Sequence, residues 1–300
     1  MDVRHQVVLS GLGFPEGPVV LPDGRLAFVD LRTQQVNVWD GARASMLARL
    51  PGSPNGATLG SDGRIYVANN GGLAPLSLEE LWVPDDALDG RIQAVALDGA
   101  WEDIAADNLP GPEPHRPNDL CFGPDGWLYF TDPTNWEVLP DERRYQAGRV
   151  CRTDGSGSIE LVAEIAGFPN GIGFAPGGDE LIVALTLRHR LVSLTRRADG
   201  SFGAPRPWCE LPSSINPDGF CFDASGAIYV AGSVGDALVV VGPDRRVSAV
   251  IETGAGSDPT NVCLEPGRLW ITFGLAGQLA WMPVDAEPLP LFAGHARPAG

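Results

Sequence analysis

Residues 117–131 read Pro117-Asn118-Asp119-Leu120-Cys121-Phe122-Gly123-Pro124-Asp125-Gly126-Trp127-Leu128-Tyr129-Phe130-Thr131. Two short apolar runs flank a turn built on Pro-Asp-Gly, the pattern of a β-hairpin. The opening phrase occurs five more times, as Pro15-Glu16-Gly17, Pro54-Asn55-Gly56, Pro169-Asn170-Gly171, Pro217-Asp218-Gly219 and Pro259-Thr260-Asn261. Each copy leads into an apolar run, a Gly-containing turn and a second apolar run; Pro22-Asp23-Gly24 and Ser61-Asp62-Gly63 are two of the turns. Measured from Pro to Pro, the copies lie 39, 63, 52, 48 and 42 residues apart. That spacing leaves room for four short strands per unit, the size of a propeller blade.

The expectation is therefore an all-β, six-bladed β-propeller with four-stranded blades around a central channel, formed by residues 1–300 as one domain. Outer strands are expected at 91–97, 148–153, 191–196 and 238–242. The N-terminal run 6–10 precedes the first copy, so it should pair with the last blade and close the ring. The 63-residue interval implies an extra loop within 69–82. No segment sustains a helical period; 76–88 comes nearest, and Pro84 interrupts it.

Composition agrees with a folded domain. Of the 300 residues, 44% are hydrophobic and 20% charged, ordinary for a chain with a sizeable core. The 38 Gly and 27 Pro fall at regular intervals and read as turn punctuation. A formal net charge of −17 argues against nucleic-acid or anionic-membrane partners. No run approaches the length of a membrane helix, and the first residues lack the apolar core of a signal peptide. Five cysteines are an odd number. Cys121, Cys221 and Cys263 hold matching positions in three copies, as small buried hydrophobes do, and all five are expected as reduced thiols in a cytoplasmic protein. A monomer or weak homo-oligomer is expected, since a closed propeller manages its own strand edges.

The position after each Pro carries the chemistry. If the first strand of each blade lines the channel, Glu16, Asn55, Asn118, Asn170, Asp218 and Thr260 converge at one mouth. The second strands should bring Asp30, Asn69, Asn70, Asp132 and Thr186 back to the same face. Glu16, Asn118, Asn170 and Asp218 offer two carboxylates and two amide oxygens, a donor set for one hard divalent cation. Ca²⁺ suits it best; Mg²⁺, Mn²⁺, Zn²⁺ and Fe²⁺ are also compatible. Asn and Asp after Pro are turn formers too, but Glu at position 16 is not explained that way.

Phe14-Pro15-Glu16-Gly17-Pro18-Val19, Arg116-Pro117-Asn118-Asp119, Tyr129-Phe130-Thr131-Asp132-Pro133, Phe168-Pro169-Asn170-Gly171-Ile172-Gly173 and Asp218-Gly219 together resemble the gluconolactonase/senescence-marker-protein (regucalcin) family. The resemblance runs from about residue 8 to 283. It implies a six-bladed propeller with one axial divalent cation, bound by Glu16, Asn170 and Asp218. It further implies Asn118 on the cation or the substrate, and Arg116 on the substrate. Pro15 and Pro217 stand where many relatives have other residues.

The activity expected is hydrolysis of a small lactone, such as a sugar-acid lactone, with Asp218 as general base. His115, beside Arg116, is a candidate substrate contact or acid. Asn55 is a candidate substrate contact or a turn former. Asp132 is expected to brace the site from behind. Trp82, Trp136 and Phe168 line the mouth or pack between blades. The alternatives are a phosphotriesterase or aryl esterase on the same calcium site, and a non-catalytic calcium-binding propeller. No Gly-x-Ser-x-Gly elbow or phosphate-binding Gly loop is present.

Overall fold

The computed structural model describes residues 5–106, 108–111, 113–133, 146–156 and 158–295. Six sheets of four antiparallel strands form the blades of a propeller. From blade 1 to blade 6 the innermost strands are Pro15–Val20, Pro54–Leu59, Leu120–Phe122, Pro169–Phe174, Asn216–Phe222 and Pro259–Glu265. The sole helical element among the described residues is one 3-10 turn at Thr186–Arg188, and no helix is long and apolar enough to cross a membrane.

Two-residue alternation explains the ring. In blade 1, Val29 faces the core shared with blade 2, while Phe28 faces the core shared with blade 6. In blade 2, Val67 faces blade 1 and its neighbours Tyr66 and Ala68 face blade 3. Six apolar clusters result, one per interface between adjacent blades. Middle strands are therefore buried on both faces and read as continuous apolar runs. Each fully buried Phe or Val contributes roughly 1.5–3 kcal/mol.

Gln6–Ser10 pairs antiparallel with Gln278–Pro283 and supplies the outermost strand of blade 6, closing the ring as expected. The four runs expected as outer strands are instead third from the axis, in strands Arg91–Val95, Ala147–Thr153, Arg190–Thr195 and Ala237–Val241. True outer strands such as Val247–Glu252 are largely exposed and more polar, so apolar runs pointed one strand too far inward.

The extra loop is longer than expected. The blade 2 ladder leaves at Asn69 and resumes only at Arg91. Between them Ala74–Pro75 and Leu81–Trp82 form a small hairpin, where 76–88 was the nearest approach to a helix. The insertion is fastened by Leu88 N–H donating to Gly71 O (2.6 Å) and by Gln34 Nε2 donating to Asp86 Oδ1 (2.6 Å). All five cysteines are free thiols.

Candidate metal centre

In five blades the inner strand carries a bulge or register shift at its opening, between Glu16 and Val19, Pro54 and Gly56, Pro169 and Ile172, Pro217 and Phe220, and Pro259 and Asn261. A bulge re-aims side chains that strict alternation would send between blades. In blades 2, 4, 5 and 6 it spans the residue after the Pro, the position read from sequence as the donor position, and in blade 1 it directly follows that residue. The preceding residue is pinned as well. Phe14 N–H donates to Asp30 Oδ1 (2.9 Å), Ser53 N–H to Asn69 Oδ1 (2.8 Å) and Arg116 N–H to Asp132 Oδ1 (2.7 Å). In blade 4 that residue is Phe168, held at a φ of 65°, a strained backbone for a bulky side chain.

Glu16 is buried; its Oε2 accepts Gly17 N–H (2.8 Å), and Thr260 and Asn261 also hydrogen-bond it. Asn170 hydrogen-bonds Asp218, and its Nδ2 donates to Thr186 Oγ1 (3.2 Å). Thr186 in turn donates to Pro217 O (2.9 Å), and Thr131 donates to Asn170 O (2.7 Å), so blades 3, 4 and 5 are stitched together at this level. Asn118 is buried beside them with its N–H on Thr131 O (2.9 Å). Asn55 is buried too, and its Nδ2 has no hydrogen-bond partner.

Sequence reading missed Asp119 and Asn261. They occupy the position after the donor, where the other four copies have Gly. Blades 3 and 6 stand opposite each other in the ring, and the two side chains meet across the axis in a hydrogen bond. The glycines make room for them. A Cβ on Gly56 would lie 2.6 Å from Asp119 Oδ1, and one on Gly219 would lie 2.1 Å from the Asn261 side chain. The break in the Gly column was the signal in the sequence.

Electrostatics set this cluster apart. Burial, then the nearby Asp119 charge, pushes the Glu16 carboxyl up to about 8 despite its hydrogen bonds. Burial pushes Asp119 to about 7, against hydrogen bonds from Leu120, Ile172 and Asn261. Asp218 is raised well above the carboxylate range by burial first, then by the charges of Glu16, Asp258 and Asp119. The charges acting on these groups are other carboxylates, which is the condition a bound cation relieves. Among the described residues no three His, Cys, Asp or Glu side chains form a metal-type cluster on their own. Glu16, Asn118, Asn170 and Asp218 offer two carboxylates and two amide oxygens, chemistry that suits a hard cation.

To one side lies a second buried cluster. Asp132 Oδ2 accepts from Arg149 (2.8 Å) and from His115 Nδ1 (2.9 Å), while its Oδ1 takes the Arg116 N–H. Arg149 NH1 also lies 2.9 Å from His115 Nδ1, so the three side chains form one buried network. His115 is thus a buried residue, with its own N–H on Asp89 Oδ1 (2.9 Å). Arg116 NH1 donates to Asn70 O (3.1 Å). Of the mouth aromatics, Trp82 packs on the core between blades 1 and 2, and Phe168 packs with Leu73 of the insertion and Leu187. Trp136 lies outside the described residues.

Fold and site together define a six-bladed propeller with oxygen donors converging on its axis. Residues 14–274 match the SMP-30/Gluconolactonase/LRE-like region, and the chain belongs to that family. It is 25% identical to a gluconolactonase of Zymomonas mobilis over 287 residues, covering 86% of this chain and 75% of that protein. Among solved structures it is similar to a gluconolactonase of Xanthomonas campestris (23% identity, TM-score 0.72, 92% of this chain and 88% of that one). It is also similar to a calcium-binding protein, regucalcin, of Agrobacterium tumefaciens (18% identity, TM-score 0.76, 97% of each chain).

Proposed function

We propose that this protein is a divalent-cation-dependent lactonase, hydrolysing a sugar-acid lactone or a related small cyclic ester. The observation that carries the reading is the trio of crowded carboxylates, buried Glu16 and Asp119 with half-buried Asp218, held above their usual range by desolvation and nearby carboxylate charge. Family membership and the curated gluconolactonase relative support the substrate class. A cation held by Glu16, Asn118, Asn170 and Asp218, Ca²⁺ by the hardness of the donors, would supply Lewis-acid polarisation of the ester carbonyl and acidify a nearby water.

The chain's own residues do the rest. Asp218 takes the proton of the attacking water and returns it to the ring oxygen as the C–O bond breaks. The product is the hydroxy acid, the lactone plus one water. Arg116, its N–H pinned by Asp132 and its guanidinium anchored on Asn70 O, presents a planar fork to substrate oxygens. The unpartnered Asn55 Nδ2 donates to a substrate oxygen at the mouth. His115 steadies the Arg116 segment through Asp132, and its Nε2 is the atom left for a substrate contact.

The test is hydrolysis of glucono-δ-lactone by metal-stripped and Ca²⁺-reloaded protein, beside Asp218→Asn. Activity that needs the cation and falls by about 10²–10⁴-fold in the variant is expected from loss of a general base. Chelator-resistant activity, or an unimpaired variant, overturns the assignment.

A further inference from the structure

The axis has a second end. Beneath Asp119 and Asn261 it widens into a cavity of about 340 Å³, walled by the inner strands of all six blades. The walls are mostly apolar, with Phe122, Phe174, Phe220 and Phe222 among them and Cys121, Cys221 and Cys263 also lining it. Asp119 and Asn261, each more than nine-tenths buried, border its inner end.

The C-terminal segment closes the outer end. After Gln278–Pro283 the chain hydrogen-bonds blade 5, through Ala224 N–H to Glu287 O (2.8 Å) and Leu289 N–H to Phe222 O (3.1 Å). It then reaches blade 2, where the Ser61 N–H and hydroxyl both donate to Gly294 O (2.8 and 3.1 Å). Blades 5 and 2 are opposite in the ring, so this strap crosses the axis. On the way it sets Phe292 edge-on to Phe174, with ring centroids 5.9 Å apart.

We propose that this cavity is a binding site for a small neutral aromatic alcohol, entered past the strap from the face opposite the donor cluster. A cavity of about 150 Å³ lined by such side chains takes one benzene ring, so this volume suits two fused rings. The phenylalanines supply edge and face contacts for them. A single hydroxyl satisfies the polar end by donating to Asp119, whose carboxylate oxygens keep acceptor capacity. An anion would meet the Asp119 carboxylate, and a polyol would leave hydroxyls unpaired against apolar walls. A lactone bound at the donor cluster and a ligand here would occupy the two ends of one channel, and the inference does not depend on the lactonase reading.

The probe is 2-naphthol, titrated by calorimetry and fluorescence into the full chain with chelator present. Saturable 1:1 binding is expected, weakened at least tenfold in Cys121→Phe, which sets a ring inside the cavity. Because that variant can fail to fold, unaltered protein is also examined by methyl NMR. Intermolecular NOEs from the probe to Val262, Leu264 and Leu289 are expected. Absence of saturable binding, NOEs confined to other methyls, or simple competition between 2-naphthol and glucono-δ-lactone would overturn the proposal.

Discussion

Removing divalent cations should make the protein less stable as pH rises, the reverse of the usual carboxylate behaviour. Glu16 carries the effect, with its carboxyl raised from the usual 4.5 to about 8. Between those values the folded chain binds a proton that the unfolded chain has released, so folding stability falls with pH across that window. It is fully present below about 4.5 and lost progressively towards 8. At about 1.4 kcal/mol per pH unit, full desolvation of Glu16 would cost about 5 kcal/mol by pH 8. That is a large share of a domain's margin of about 5–15 kcal/mol. For a chain of this size it corresponds to a fall of about 10 °C in Tm. Asp119, raised to about 7, acts in the same direction. Differential scanning calorimetry with chelator at pH 4.5 and 8.5 should show this fall. Excess Ca²⁺ should shrink the pH slope, and Glu16→Gln should flatten much of it without metal. A chelated protein whose Tm rises with pH, or whose slope is the same with and without Ca²⁺ and in Glu16→Gln, would refute the reasoning.

Asp132→Ala leaves Arg149 buried without its carboxylate and frees the Arg116 N–H, so denaturant unfolding should report a loss of about 3–5 kcal/mol. A loss below about 1 kcal/mol would show that the cluster is dispensable. Asn55→Ala removes an amide donor with no protein partner. Lactone kcat/KM should fall about tenfold while Tm stays within a few degrees, a split that a merely structural Asn would not produce. Gly219→Ala drives a Cβ into the Asn261 amide. It should cost about 1–3 kcal/mol and weaken Ca²⁺ binding measured by calorimetry, since Asn261 supports Glu16.

The ring was legible because one phrase repeats and because the middle strands, buried on both faces, are continuously apolar. The closing pair was legible from a strand-like run with no blade of its own at the N-terminus. Strand rank was not, because the outer strands are too polar to stand out and their neighbours took their place. The insertion exceeded its expected bounds because strands of two residues, Ala74–Pro75 and Leu81–Trp82, leave no periodicity to read. Asp119 and Asn261 were visible in the letters yet missed, since only the residue directly after each Pro was read for donors. The strap belongs to no repeat, so only its hydrogen bonds to blades 5 and 2 reveal it.

Gln6–Ser10 is made about 270 residues ahead of its partner, Gln278–Pro283. At a synthesis rate of roughly 5–20 residues per second, the strand waits about 15–50 s before its partner is synthesised. Through that interval it has no native neighbour, and blade 1 keeps a bare flank where blade 6 will later pack. Until that partner arrives the ring is an open arc. The long-range step that locks it comes last, which makes growing chains the species most exposed to joining one another edge to edge.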